Sequence, residues 1–142
     1  MIRFANAYDV SRIAELLETL FESPNYRTVT HDPMYVMQNL LAVLDEPSVD
    51  LIVAEQDGVV QGAACAMTQE TFLCPDMNMY EQFVVSDNPM QVRYLIQELK
   101  RLKVERGCKR LIMGISTMQN PRYVRLLHKL GFQDFGQTLK LE

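Results

Sequence analysis

The chain has no tryptophan, two histidines and three cysteines among its 142 residues. Cys65, Cys74 and Cys108 are odd in number and widely spaced, so they make no zinc or redox motif and no evident disulfide framework. His31 and His128 are far apart, with no carboxylate spacing that suggests a ligand set, and no metal is expected. Glycine is scarce, with six residues at 58, 62, 107, 114, 131 and 136. That excludes G-x-G-x-x-G, G-x-x-x-x-G-K-[ST] and any other local Gly-rich phosphate loop, and the G-x-S-x-G nucleophile elbow is missing as well. Positive charge is in deficit, with 14 Lys and Arg against 18 Asp and Glu and a sequence pI of about 5.2. Without a basic cluster to neutralise phosphates, nucleic acid is not an expected partner. No apolar run is long enough to cross a bilayer, so no membrane association is expected. Arg3, Asn6 and Asp9 follow Met1 where a signal peptide would be apolar. A reducing, cytoplasmic setting fits these features best.

What remains is enough for one domain spanning residues 1–142: 48% of the chain is apolar and 23% charged. Ile2 to Ala5 reads as a short strand. Asp9 then stands as a helix N-cap before Val10, Ile13, Ala14, Leu17 and Phe21 at helical spacing. Asp32-Pro33 opens a second helix with a stripe of Met34, Met37, Leu41 and Leu44, since proline suits the first helical position. Two strand-like runs, 51–56 and 59–68, flank Asp57-Gly58, a strong hairpin signal because a type I′ turn needs positive φ. Asn78 to Val85 is a further strand. Asn88-Pro89 caps a third helix that ends at Gly107, and Arg110 to Ile115 is a strand. Asn120-Pro121 opens a fourth helix ending at Gly131, and residues 132–141 supply one or two final strands. The order β-α-α-β-β-β-α-β-α-β predicts an α/β (α+β) domain with a mixed sheet and helices on its faces, in which 78–85 and 110–115 are joined by a parallel crossover.

Four segments in this order resemble the GNAT superfamily of N-acetyltransferases. They are Ile2-Arg3-Phe4-Ala5 with Asp9-Val10, then Glu81-Gln82-Phe83-Val84-Val85, then Glu105-Arg106-Gly107-Cys108-Lys109-Arg110-Leu111, and finally Asn120 through Leu130-Gly131-Phe132. The resemblance covers nearly the whole chain and implies an acyl-CoA N-acyltransferase fold with acetyl-CoA as acetyl donor. Two departures stand out. The family's glycine-rich pyrophosphate loop is replaced by Asp87-Asn88-Pro89-Met90-Gln91-Val92, without glycine and with one amide donor removed by Pro89. Leu127 stands where many members carry a tyrosine that protonates the leaving thiolate, and His128 beside it points about 100° away on the helix.

The resemblance makes Glu81 the candidate base that removes a proton from an acceptor amine. Phe83, Val84 and Val85 would lend backbone groups to the acetyl and pantetheine arm. The amides of Met90, Gln91 and Val92, at the positive end of the third helix, are the candidates for facing a pyrophosphate, with Arg93 as a charge partner. Asn120 resembles a family asparagine that contacts the coenzyme, although its place before Pro121 already explains it as a helix cap, which is read as its main role. The reaction implied is transfer of acetyl to a primary amine on a small molecule or peptide, admitted between loops 23–32 and 70–77. The missing glycines and Leu127 support the alternative of a catalytically inactive binding or structural protein with this scaffold. The final strand, Gln137 to Leu141, is a candidate for pairing across a homodimer.

Overall fold

The computed structural model describes residues 1–114, 121–136 and 139–142. Its centre is one mixed five-stranded sheet in the order β1-β2-β3-β4-β5. The strands are β1 (Ile2–Phe4), β2 (Val49–Gln56), β3 (Val59–Glu70), β4 (Met77–Ser86) and β5 (Arg110–Ile112). The first four pair antiparallel, and β4 pairs parallel with β5. The helices are α1 (Val10–Phe21), α2 (Pro33–Val43), α3 (Pro89–Glu105) and α4 (Pro121–Lys129). Asp57 and Gly58 both have positive φ, as the hairpin between β2 and β3 requires.

The sheet is buried on both sides. Leu51, Val53, Ala63, Cys65 and Val85 pack with Val10, Ile13, Leu16 and Leu17 of α1 and Leu40 of α2. Ile52, Ala54, Ala64, Ala66 and Met79 pack with Leu95, Leu99 and Leu102 of α3. Small alanines on β3 let the helices approach closely, and each large side chain removed from water contributes about 1.5–3 kcal/mol. At the far end of α3, Arg106 makes a two-pronged contact with the buried Asp50 carboxylate at 2.6 and 3.2 Å. Gly107, at φ +70°, then turns the chain back into β5.

Two β-bulges interrupt the pairing. On β3, Gln61 is the extra residue between Val60↔Glu55 and Gly62↔Ala54. On β4, Gln82 is the extra residue between Glu81↔Ala66 and Phe83↔Cys65. Each insertion reverses which side of the sheet the following residues face. Met77 and Met79 therefore face α3, whereas Phe83 and Val85 face α1.

Three local expectations need correction. Asp9 does not cap α1. Its carboxylate is held by Arg3 at 2.7 and 3.0 Å and by the Asn6 backbone N–H, while Asn6 caps the preceding 3-10 turn. A guanidinium is a stronger partner for a nearly buried carboxylate than a helix amide. The α2 stripe is rotated: Leu40 is its buried centre, with Val36, Met37, Val43 and Leu44 beside it, and Met34 and Leu41 are exposed. Apolar residues occupy most of that helix, so packing against α1 selects the face. Residues 132–136 and 139–142 form no strand. Only three residues of β5 are in the sheet, which leaves its outer edge roughly 10 Å of ladder to offer. Gln137 and Thr138 of the expected final strand lie outside the described residues.

Candidate active site

β4 and β5 run together for three positions only, Asn78↔Arg110, Met79↔Leu111 and Tyr80↔Ile112. β4 then continues to Ser86, and among the described residues nothing pairs with its β5 side beyond Tyr80. Among the described residues, the backbone groups turned to that side have no strand partner. The fork opens at Glu81. There the Gly114 N–H donates to Glu81 Oε2 at 3.1 Å rather than to a β4 carbonyl. The Gln82 bulge falls on the next residue, where it bends the strand and leaves a backbone group out of the ladder.

Burial lifts the Glu81 carboxyl above the ordinary carboxylate range, and the Gly114 N–H offsets part of that rise. A carboxyl raised in this way is a better proton acceptor near neutral pH. Tyr123 of α4 lies half-buried within reach of the same charge. Burial, and then Glu81, push its phenol upwards, so it remains protonated and able to donate. The sequence reading passed over Tyr123. The available signal was its position one helical turn before Leu127, which places both on one face of α4. Leu127 is fully buried, and the His128 ring meets Asp134 at 3.1 Å. Cys65 is buried in the sheet and its thiol is pushed up to about 12 by burial and the charges of Asp50 and Glu81, which leaves it inert as a nucleophile.

Phe83, Val84 and Val85 lie along β4 beyond the fork, as placed from sequence, with Val85 buried and the other two partly buried. Met90, Gln91 and Val92 open α3, and Arg93 follows them, exposed. The Met90 N–H donates to Asn88 Oδ1 at 3.1 Å and the Gln91 N–H to Asn88 O at 3.0 Å. Gln91 is buried, its amide reaching Gln56 Oε1 and Gln61 Oε1. Asn120 lies outside the described residues. Of the loops expected to admit an acceptor, 70–77 presents Phe72 and Leu73 fully to solvent. In 23–32, His31 stacks on Phe21 with ring centroids 4.1 Å apart.

An acyl-CoA donor fits one half of this arrangement. Past Glu81, the β4 edge has no strand partner among the described residues, which suits a thioester arm laid along it. The turn into α3 does not fit a diphosphate, because its amides already have acceptors. Among the described residues, no group of His, Cys, Asp and Glu is placed to hold a metal ion, and no helix is long and apolar enough to cross a membrane.

No protein-family model and no curated protein matches the chain. Solved structures do. A transcriptional regulator from Bacillus halodurans C-125 superposes with TM-score 0.84 at 16% identity, covering 100% of this chain and 98% of that one. An acetyltransferase from Trypanosoma brucei gives TM-score 0.75 at 23% identity over 100% and 98%. An aminoglycoside acetyltransferase from an uncultured soil metagenomic sample gives 0.72 at 18% over 100% and 97%. The chain therefore has the GNAT-like acetyltransferase fold, at identities that establish the fold alone.

Proposed function

We propose that the protein is an N-acetyltransferase that moves an acetyl group from a coenzyme A thioester to a primary amine in one direct step. The observation that carries this reading is Glu81, half-buried, raised in pKa by burial and fixed by the Gly114 N–H at the point where β4 and β5 part. An amine entering the fork loses its proton to Glu81. The neutral nitrogen bonds to the acetyl carbon as the carbon–sulfur bond breaks, the new amide nitrogen releases its surplus proton to water, the thiolate takes up a proton from water or from the Tyr123 phenol, and solvent resets Glu81 and Tyr123. A backbone N–H freed from the ladder by the Gln82 bulge would donate to the thioester oxygen, a contribution that grows as charge develops there. The acetyltransferases among the structural neighbours support the same reading. The acceptor is a small-molecule or peptide amine reaching the fork past loop 70–77, and the free thiols suit a cytoplasmic enzyme.

The test is release of free thiol from acetyl-CoA with a panel of amines: small polyamines, aminoglycosides, lysine side chains and peptide N-termini. Turnover with at least one class is expected, and Glu81→Gln should lower kcat by about 10²–10⁴. No turnover with any class, or full activity in Glu81→Gln, would overturn the assignment and leave a non-catalytic binding protein on this scaffold.

A further inference from the structure

A donor lying along β4 from the fork runs directly into the turn between Ser86 and α3, and that turn is closed by its own hydrogen bonds. The Asp87 N–H donates to Gln61 O at 3.1 Å and the Asn88 N–H to Ser86 Oγ at 3.0 Å. Pro89 has no N–H, and the Met90 and Gln91 amides are both spent on Asn88. The backbone from Asp87 to Gln91 therefore presents no free N–H.

Side chains close the turn further. Ser86 Oγ lies 2.7 Å from both Gln61 O and Asn88 O, and its one hydrogen is given to one or the other. Asn88 Nδ2 meets Gln61 Oε1 at 2.9 Å. Charge adds to this. The exposed Asp87 carboxylate stands at the helix entrance, and the guanidinium paired with it, Arg12 at 2.5 Å, is also held by Glu15 at 3.1 Å and Val60 O at 2.9 Å. An anion arriving at the turn meets a like charge, no free amide and an engaged Arg12; the exposed Arg93 stands beyond these amides, further into α3.

Building on the acetyltransferase reading above, we propose that this chain recognises its acyl donor by the thioester arm alone, and that the donor's diphosphate contributes nothing to binding. The ligand class is a pantetheine thioester, whatever is attached beyond the phosphate.

Calorimetric titration with pantetheine, 4′-phosphopantetheine and coenzyme A tests this without knowledge of the acceptor. The three dissociation constants are expected within about fivefold of one another, and that of coenzyme A should be nearly flat between about 0.02 and 0.5 M salt. A diphosphate held by two charge-assisted amide bonds would instead make coenzyme A more than about 100-fold tighter than pantetheine. Any advantage of coenzyme A beyond fivefold, or a steep loss of its affinity with salt, overturns the proposal and leaves the acetyltransferase reading standing. Failure of all three to bind at millimolar concentration overturns both.

Discussion

Gly62 is the point at which β3 comes closest to the end of β4, and alanine there should be costly. An added Cβ would lie 2.9 Å from Ser86 Oγ, 3.0 Å from Ser86 Cβ and 3.0 Å from the Val85 carbonyl oxygen. Turning the Ser86 side chain relieves only the first of these. The other two sit on or next to backbone, so the strands must separate by a few tenths of an ångström. Overpacking of this kind costs about 1–3 kcal/mol. Ser86 Oγ also bridges Gln61 O, Asn88 O and the Asn88 N–H, and weakening two of those bonds adds about 1–2 kcal/mol. Against this, alanine restricts the unfolded chain and returns about 0.4–1 kcal/mol. The net expectation is destabilisation of about 2–3 kcal/mol. With a urea m-value of about 1–3 kcal/mol/M, the unfolding midpoint should fall by about 1 M at unchanged m. Gly136→Ala is the control, because a Cβ there meets nothing within 4 Å, and its midpoint should equal or slightly exceed that of the parent. Equal midpoints for the two variants would refute the argument that the β3–β4 contact at Ser86 is tight.

Glu81→Gln should be more stable than the parent while being less active. The raised carboxyl binds its proton more readily in the folded state than in the unfolded one, so the parent loses stability as pH rises from the unfolded pKa through the folded one. The melting-temperature gap between variant and parent should therefore open with rising pH, and a gap independent of pH would count against a half-buried, raised Glu81. The parent's kcat should rise with pH through the same raised value. Asp9 behaves oppositely: Arg3 holds it below the ordinary carboxylate range, so its contribution is present above the unfolded pKa and is lost as pH falls through the folded one. Asp9→Asn should melt less steeply with acidification than the parent, and parallel curves would show that the Arg3 contact contributes nothing. Alkaline titration followed by tyrosine absorbance should show one late-ionising phenol that vanishes in Tyr123→Phe. Its persistence would place Tyr123 in solvent.

The parts of the fold that could be read in advance are those written in local chemistry. Asn88-Pro89 and Asp32-Pro33 cap their helices through side-chain acceptors, and Asp57-Gly58 takes the positive φ of its turn. Glu81 was reached through a resemblance, and the fork around it follows from where β5 leaves the sheet. Other features depend on tertiary contact. The face of α2 that is buried is chosen by α1, and Asp9 is claimed by an arginine on β1. Tyr123 gains its meaning only from the docking of α4 near Glu81. Neither bulge has a residue signature: Gln61 and Gln82 are ordinary strand residues until the cores on the two sides of the sheet are known.

Those bulges connect the core to the site. β4 must bury Met77 and Met79 against α3, yet Phe83 and Val85 against α1, and strict alternation cannot do both. One extra residue resolves the conflict and interrupts the β3–β4 ladder beside Glu81, where β5 departs. β3 meets a similar demand between Val60 and Ala63, and the residue it inserts, Gln61, gives its carbonyl and side chain to Ser86, Asp87, Asn88 and Gln91. The same device thus opens the strand edge at the fork and fastens the turn at the start of α3. The closure belongs to the sheet as much as to the composition of the turn. A glycine at position 90 would not by itself create an anion site, because Gln61 would still hold the Asp87 amide, Asn88 would still cap the helix and Asp87 would still carry its charge.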